Sequence, residues 1–197
     1  MTDAAFRATV AQGRSQAATP FRRGEFVVYP AHGVGQIAYI GTEVISGHPL
    51  NMIRVFFAEA RMTLHIPVGQ ACASGLRKLA THQVLTGAMT TLSGAPRASR
   101  LPWIKRGPAY QAKINSGAVP ALAEVVRDLQ AAGDGPHSSF SQRVLFESAV
   151  SLLAAEWAAV FGTENAEARN HITQALRLAG SAESSDQANQ PRQSAST

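Results

Sequence analysis

Apolar and polar positions along the chain change period once. Between residues 21 and 79 the apolar residues come in short runs divided by Gly- and Pro-bearing turns. Glu25–Tyr29 is a run stopped by Pro30. Val34–Ile40 follows a turn at His32-Gly33, Thr42–Ile45 ends at Ser46-Gly47-His48-Pro49, and Leu50–Phe57 is rich in β-formers. Met62, Leu64 and Ile66 alternate with Thr63 and His65 before Pro67, the period of a strand with one buried face. Short strands packed this densely predict a small, strongly bent barrel, with Gly33, Gly35, Gly41 and Gly47 permitting its corners.

Beyond residue 80 the spacing becomes helical. Thr81 caps a helix carrying Val84, Leu85, Ala88 and Leu92. A Pro- and Arg-bearing loop, 93–102, leads to a short helical segment near Trp103–Ile114 that stops at Asn115-Ser116-Gly117. The next helix, about Val119–Ala132, puts Leu122, Val125, Val126 and Leu129 on one face, with Pro120 in its first turn, where a missing N–H does no harm. Ser139 and Gln142 form a capping box for a long helix with Val144, Leu145, Leu152, Leu153, Trp157 and Val160 that closes at Gly162. A last helix spans about Glu164–Ala179, with Ile172, Leu176 and Ala179 inward.

These patterns predict an α+β chain of two domains: a β barrel over 20–79 and an all-α bundle of about five helices over 80–180. Residues 1–19 and 181–197 are polar and poor in large apolar residues, and are expected to be a disordered extension and tail.

Hydrophobic residues make up 45% of the 197 residues, the range of a soluble globular protein. Apolar runs are short beside the ~20 residues that cross a bilayer, and Met1–Thr19 lacks the apolar core of a secretory signal, so a cytoplasmic protein is expected. Cys72 is the single cysteine, which excludes an intramolecular disulfide and a Cys-based zinc site; between Ala71 and Ala73 it reads as a small buried residue. The net charge of +5 is uneven. Residues 93–113 hold Arg97, Arg100, Lys105, Arg106 and Lys113 with no acid, a one-sign field that attracts polyanions.

Catalytic chemistry finds little support. His32-Gly33-Val34-Gly35 lacks the third glycine, the lysine and the following helix of a phosphate loop. The histidines at 32, 48, 65, 82, 137 and 171 show no i, i+4 pair for a metal. Glu124 and Asp128 are a like-charged pair one turn apart rather than an acid–base dyad. No cofactor, metal or small-molecule substrate is expected. The informative stretch is Arg97 to Arg106, where Trp103 stands among four bases after Pro102. Bases bind phosphates and an exposed indole can stack on or wedge beside a nucleobase; the competing reading is a Trp that anchors the helix to the core behind a solvated basic rim.

Four motifs in order resemble the CarD family of bacterial transcription regulators, in the branch called CdnL. Phe21-Arg22-Arg23-Gly24-Glu25-Phe26-Val27-Val28-Tyr29-Pro30 with Gly33-Val34-Gly35 is similar to the family's opening. Leu64-His65-Ile66-Pro67 followed by Gly75-Leu76-Arg77 is similar to its last barrel strand. Trp103-Ile104-Lys105-Arg106 matches a Trp-x-basic-basic motif, and Ser116-Gly117 with Leu122-Ala123-Glu124-Val125-Val126-Arg127-Asp128-Leu129 matches its central helix. Ser139 to Glu156 also resembles the family, so the likeness covers about residues 21–178.

The resemblance implies a Tudor-like or SH3-like N-terminal barrel, a module shared with the transcription–repair coupling factor, that binds the β subunit of RNA polymerase. It implies a helical domain that contacts promoter DNA at the upstream edge of the bubble and stabilises the open complex. By the same resemblance Trp103 is the wedge, with Lys105 and Arg106 on phosphates and Lys113, Arg127 and Arg143 at further basic positions. The polymerase-facing residues fall at Glu43, Ile45, Arg54, Thr63, His65 and Pro67, and a monomer is expected. Some relatives carry arginine on those strands, where the matching positions here are Glu43 and His65. Gly107-Pro108 also departs from the family, and predicts a loop at Trp103 joined to a helix beginning near Pro108. A reading from another class remains: a protein–protein adaptor whose helical domain is structural only, separated from the first by whether Trp103 is exposed beside Lys105 and Arg106 or buried under the bundle.

Overall fold

The computed structural model describes residues 19–97, 102–134 and 139–187. Of the segments expected to be disordered, 1–19 and 181–197, residues 1–18 and 188–197 lie outside the described residues, as does the base Arg100, while 181–187 are helical, against that expectation. An antiparallel sheet is followed by five helices among the described residues. The strands are β1 Phe26–Tyr29, β2 Gly33–Ile45, β3 His48–Phe57, β4 Met62–Pro67 and β5 Arg77–Lys78; the helices are α1 His82–Leu92, α2 Trp103–Ser116, α3 Val119–Asp134, α4 Phe140–Phe161 and α5 Asn165–Gln187.

The strands hydrogen-bond in the order β4-β3-β2-β1-β5 around a core of Phe21, Val27, Ile37, Ile53, Val55, Phe57, Ile66, Ala71 and Leu76. Two expected strands, 34–40 and 42–45, are one strand. Gly41 does not break it, because the Tyr39 ring lies where a side chain at 41 would stand. The bend comes instead from a register shift between Ile37 and Tyr39, where Ala38 is an extra residue opposite Val55-Arg54. The fifth strand is Arg77–Lys78, paired with Val27-Val28 at the sheet's other edge. Two residues are too short to carry a period, so the sequence does not reveal it.

Cys72 also departs from expectation. It is exposed, because Ala71 takes the buried position after the turn that follows β4.

In the helical part α3 is the central element. Leu122, Ala123, Val125, Val126 and Leu129 are buried against α1 and α4. Thr81 caps α1, and the Ser139–Gln142 capping box opens α4. Two positions correct the sequence reading. α5 continues to Gln187, eight residues past the expected end at Ala179, since no proline or glycine beyond Gly180 stops it before that point. α4 is long and apolar enough over an 18-residue window to cross a membrane by composition. Its acids Glu147 and Glu156 hide this from a search for unbroken runs, and here its Ala149, Val150, Leu153 and Ala154 pack into the bundle.

Among the described residues one ion pair ties sheet to helices. Arg77 on β5 donates to both carboxylate oxygens of Glu156 on α4, at 2.6 and 2.7 Å, and to the carbonyl of Gly117. The Ala80 amide donates to the same carboxylate at 2.8 Å. Glu156 is 1% exposed and Arg77 30%. Gly117 ends α2 in the left-handed conformation, and a Cβ there would stand 3.1 Å from Pro30, so α2 seats directly on the β1–β2 turn.

Candidate functional site

Two surfaces gather the residues singled out by the sequence. The first is the outer face of β2–β4. The Arg54 side chain reaches Glu43 at 2.9 Å and lies over the Tyr39 ring at 4.4 Å, while His65, opposite Arg54 across the ladder, approaches Glu43 at 3.6 Å. Thr63 and His65 are exposed and Leu64 and Ile66 turn inward, as the alternation predicts. Ile45 stands 40% exposed at the hairpin. Pro67 ends β4, partly buried.

Sequence reading missed two residues on this face. Phe26 and Phe56, 46% and 44% exposed, lie in one row across the sheet with Gln36 between them and Thr63 beyond. The run Leu50–Phe57 is too uniformly apolar to show its parity, and both Met52 and Ile53 are buried, which breaks the alternation.

The second surface is the start of α2. The expected loop is a helix. Trp103 is its first residue and Pro108 its sixth, and the chain stays helical through the proline to Ser116. Proline removes one N–H, the one that would reach the Ile104 carbonyl, but this turn is at the surface, so that carbonyl keeps access to water. Trp103 is half-buried. Its indole leans on Tyr110 at 6.1 Å between ring centroids, lies over Gly107, and donates its N–H to Ser141 on α4 at 3.2 Å. The guanidinium of Arg106 stands 5.8 Å from the ring. Lys105 is exposed and Ile104 is 83% exposed. Trp103 is thus both an anchor and a partly open surface.

The remaining bases divide. Arg143 on α4 and Arg97 are exposed. Arg127 is 6% exposed and its guanidinium donates to Asp128, which also takes the Arg97 amide at 3.0 Å. As a phosphate contact Arg127 is therefore corrected: it fixes the chain after α1 instead. Lys113 is 2.6 Å from Glu124, which removes most of its value as a free cation. Lys113, by its hydrogen bond, holds the Glu124 carboxyl below its ordinary range of 4.5, helped by the charges of Arg97 and Arg127. A lowered carboxylate stabilises the fold above its unfolded pKa and ceases to as pH falls through its folded one. Both partners are about one-third exposed, so the gain is under about 1 kcal/mol. Melting of Glu124→Gln should fall slightly below wild type at neutral pH, and the gap should close in acid; a gap that widens in acid contradicts the pairing.

Residues 21–80 match the profile described as the CarD-like/TRCF RID domain, and residues 87–173 match the CarD C-terminal domain. The chain belongs to the CarD family. Among CarD-like relatives, YdeB of Bacillus subtilis (strain 168), named as a candidate transcription factor, is 26% identical over 142 residues, 72% of this chain and 93% of that protein. The solution NMR structure of the 72-residue N-terminal domain of Myxococcus xanthus CarD is 27% identical, covering 34% of this chain and 93% of that one, with a TM-score of 0.26. This CarD-family chain has a transcription-related role, and its RID domain is of a polymerase-interacting kind.

Proposed function

We propose that the chain binds the β subunit of RNA polymerase through the outer face of β2–β4. On this reading its helical domain meets promoter DNA at the upstream edge of the bubble, and the open complex lives longer. It works as a monomer in the bacterial cytoplasm and carries out no reaction of its own. The observation that carries the reading is the first turn of α2. Lys105, Arg106 and Arg143 have no ion-pair partner among the described residues, while Arg77, Lys113, Arg127 and Arg169 all do. Cations left unpaired beside a half-open indole suit a phosphate backbone next to a disturbed base step. Arg77, bound to Glu156 on α4 and to the Gly117 carbonyl at the far end of α2, holds these helices on the sheet, so binding at one end sets where the other reaches DNA.

The polymerase face is tested with full-length variants and purified β subunit. His65 is exposed, so His65→Glu leaves the core untouched and adds a second carboxylate beside Glu43. Arg54→Glu reverses the charge over Tyr39. Both should co-purify with the β subunit markedly less than wild type while keeping a cooperative melt. Undiminished recovery by both variants sinks this docking face.

A further inference from the structure

The apolar surface that projects furthest at the proposed DNA face is not Trp103. Among the described residues, Ile104 at 83% and Phe140 at 75% are the most exposed large hydrophobics. Val144, one helical turn after Phe140 on the same side of α4, is 48% exposed. The hydrogen bond from the Trp103 indole to Ser141 joins the first turns of α2 and α4, so Ile104, next to Trp103, and Phe140, next to Ser141, flank a single joint. Isolated exposed apolar residues are ordinary on a protein surface. Exposed apolar side chains thus stand on both helices near that joint, Ile104 on α2 and Phe140 and Val144 on α4, uncovered among the described residues.

We infer that Ile104, Phe140 and Val144 together make an apolar ridge, a second apolar contact to nucleic acid seated where paired strands separate, with Trp103 as the buttress behind it. The inference rests on the reading that this face meets DNA. Charge selects the occupant. The ridge is bordered by Lys105, Arg106 and Arg143, while neighbouring acids are engaged elsewhere: Asp128 with Arg127, and Glu147 with Arg169. The first turn of α2 adds no acid, and no side chain caps it. An apolar ridge framed by cations repels a basic protein and attracts a polyanion. A separating duplex supplies phosphates for the cations and unstacked base faces for the ridge. Isoleucine and phenylalanine are also side chains that wedge at weakened base steps.

The role of Trp103 follows from its contacts. Its indole N–H is satisfied by Ser141 and its face rests on Tyr110, so entering a base step would cost both. Ile104 and Phe140 make no comparable commitment, and their substitution leaves the core intact.

Full-length wild type and Ile104→Ser/Phe140→Ser are titrated onto two labelled DNAs of one sequence, a closed duplex and the same duplex opened to a fork at one end. Wild type should bind the fork about fivefold tighter than the duplex, and the double variant should lose that preference while keeping duplex affinity and melting temperature. A wild type indifferent to the fork, or a double variant that keeps the preference, overturns the ridge. The same variant is then mixed with the polymerase β subunit. Lost β binding would assign the ridge to the polymerase and also overturn the proposal. Failure of wild type to bind the β subunit is a separate result that falls on the proposed function, not on the ridge.

Discussion

Arg77→Ala should cost about 3–5 kcal/mol of stability, because it strands the Glu156 carboxylate inside the molecule. That carboxylate is 1% exposed and would keep only the Ala80 amide as a partner. Arg77 also donates to the Gly117 carbonyl, so the cap of α2 and its seat on Pro30 loosen together. Urea unfolding of wild type, Arg77→Ala, Glu156→Gln and Arg77→Ala/Glu156→Gln separates the terms. The double variant should recover part of the loss, since it no longer buries a charge. Single variants within about 1 kcal/mol of wild type would show that the pair behaves like a surface bridge and does not join the two halves.

Trp103→Ala should shorten open-complex lifetime roughly fivefold to a hundredfold, the range of a stacking contact worth about 1–3 kcal/mol, since the half-open indole and the ridge it backs are lost together. The indole is partly exposed, packs on Tyr110 of its own helix and ties α2 to Ser141 of α4, so a modest fall in melting temperature should accompany the kinetic loss. Binding to the polymerase β subunit, on the distant sheet, should be unchanged. Lys105→Ala with Arg106→Ala should differ in kind, giving weaker DNA association with a shallower salt dependence, because those side chains supply charge rather than shape. A folded Trp103→Ala with wild-type lifetime would make Trp103 a structural anchor only.

Much of the architecture is legible in the sequence because side-chain period and turn residues act locally. The alternation of Met62–Ile66, the Thr81 cap, the Ser139–Gln142 box and the apolar face of α3 are each decided within a few residues, and the structure repeats them. Features set by how side chains pack, rather than by their spacing, were not legible. Gly41 reads as a corner until Tyr39 is seen covering it. Pro108 reads as a helix start until the Trp103 turn is seen packed on α4. Lys113 reads as a free cation until Glu124 is seen beside it, and Arg127, which the sequence leaves between a DNA contact and packing or an ion pair, is found on Asp128. Sequence could have flagged Lys113 with Glu124 only through an αα contact that no spacing encodes. The buried Glu156 is likewise invisible, since its partner lies 79 residues away on a two-residue strand.

The central claim is that this chain, held on RNA polymerase, keeps promoter DNA open. The most direct measurement is the half-life of open complexes formed by purified polymerase on a promoter that melts poorly, followed after adding a competitor, with and without the full-length chain. The account predicts a longer half-life with wild type, and a loss of that gain with Trp103→Ala and with His65→Glu, the first despite intact β binding. A half-life that wild type leaves unchanged or shortens would contradict it.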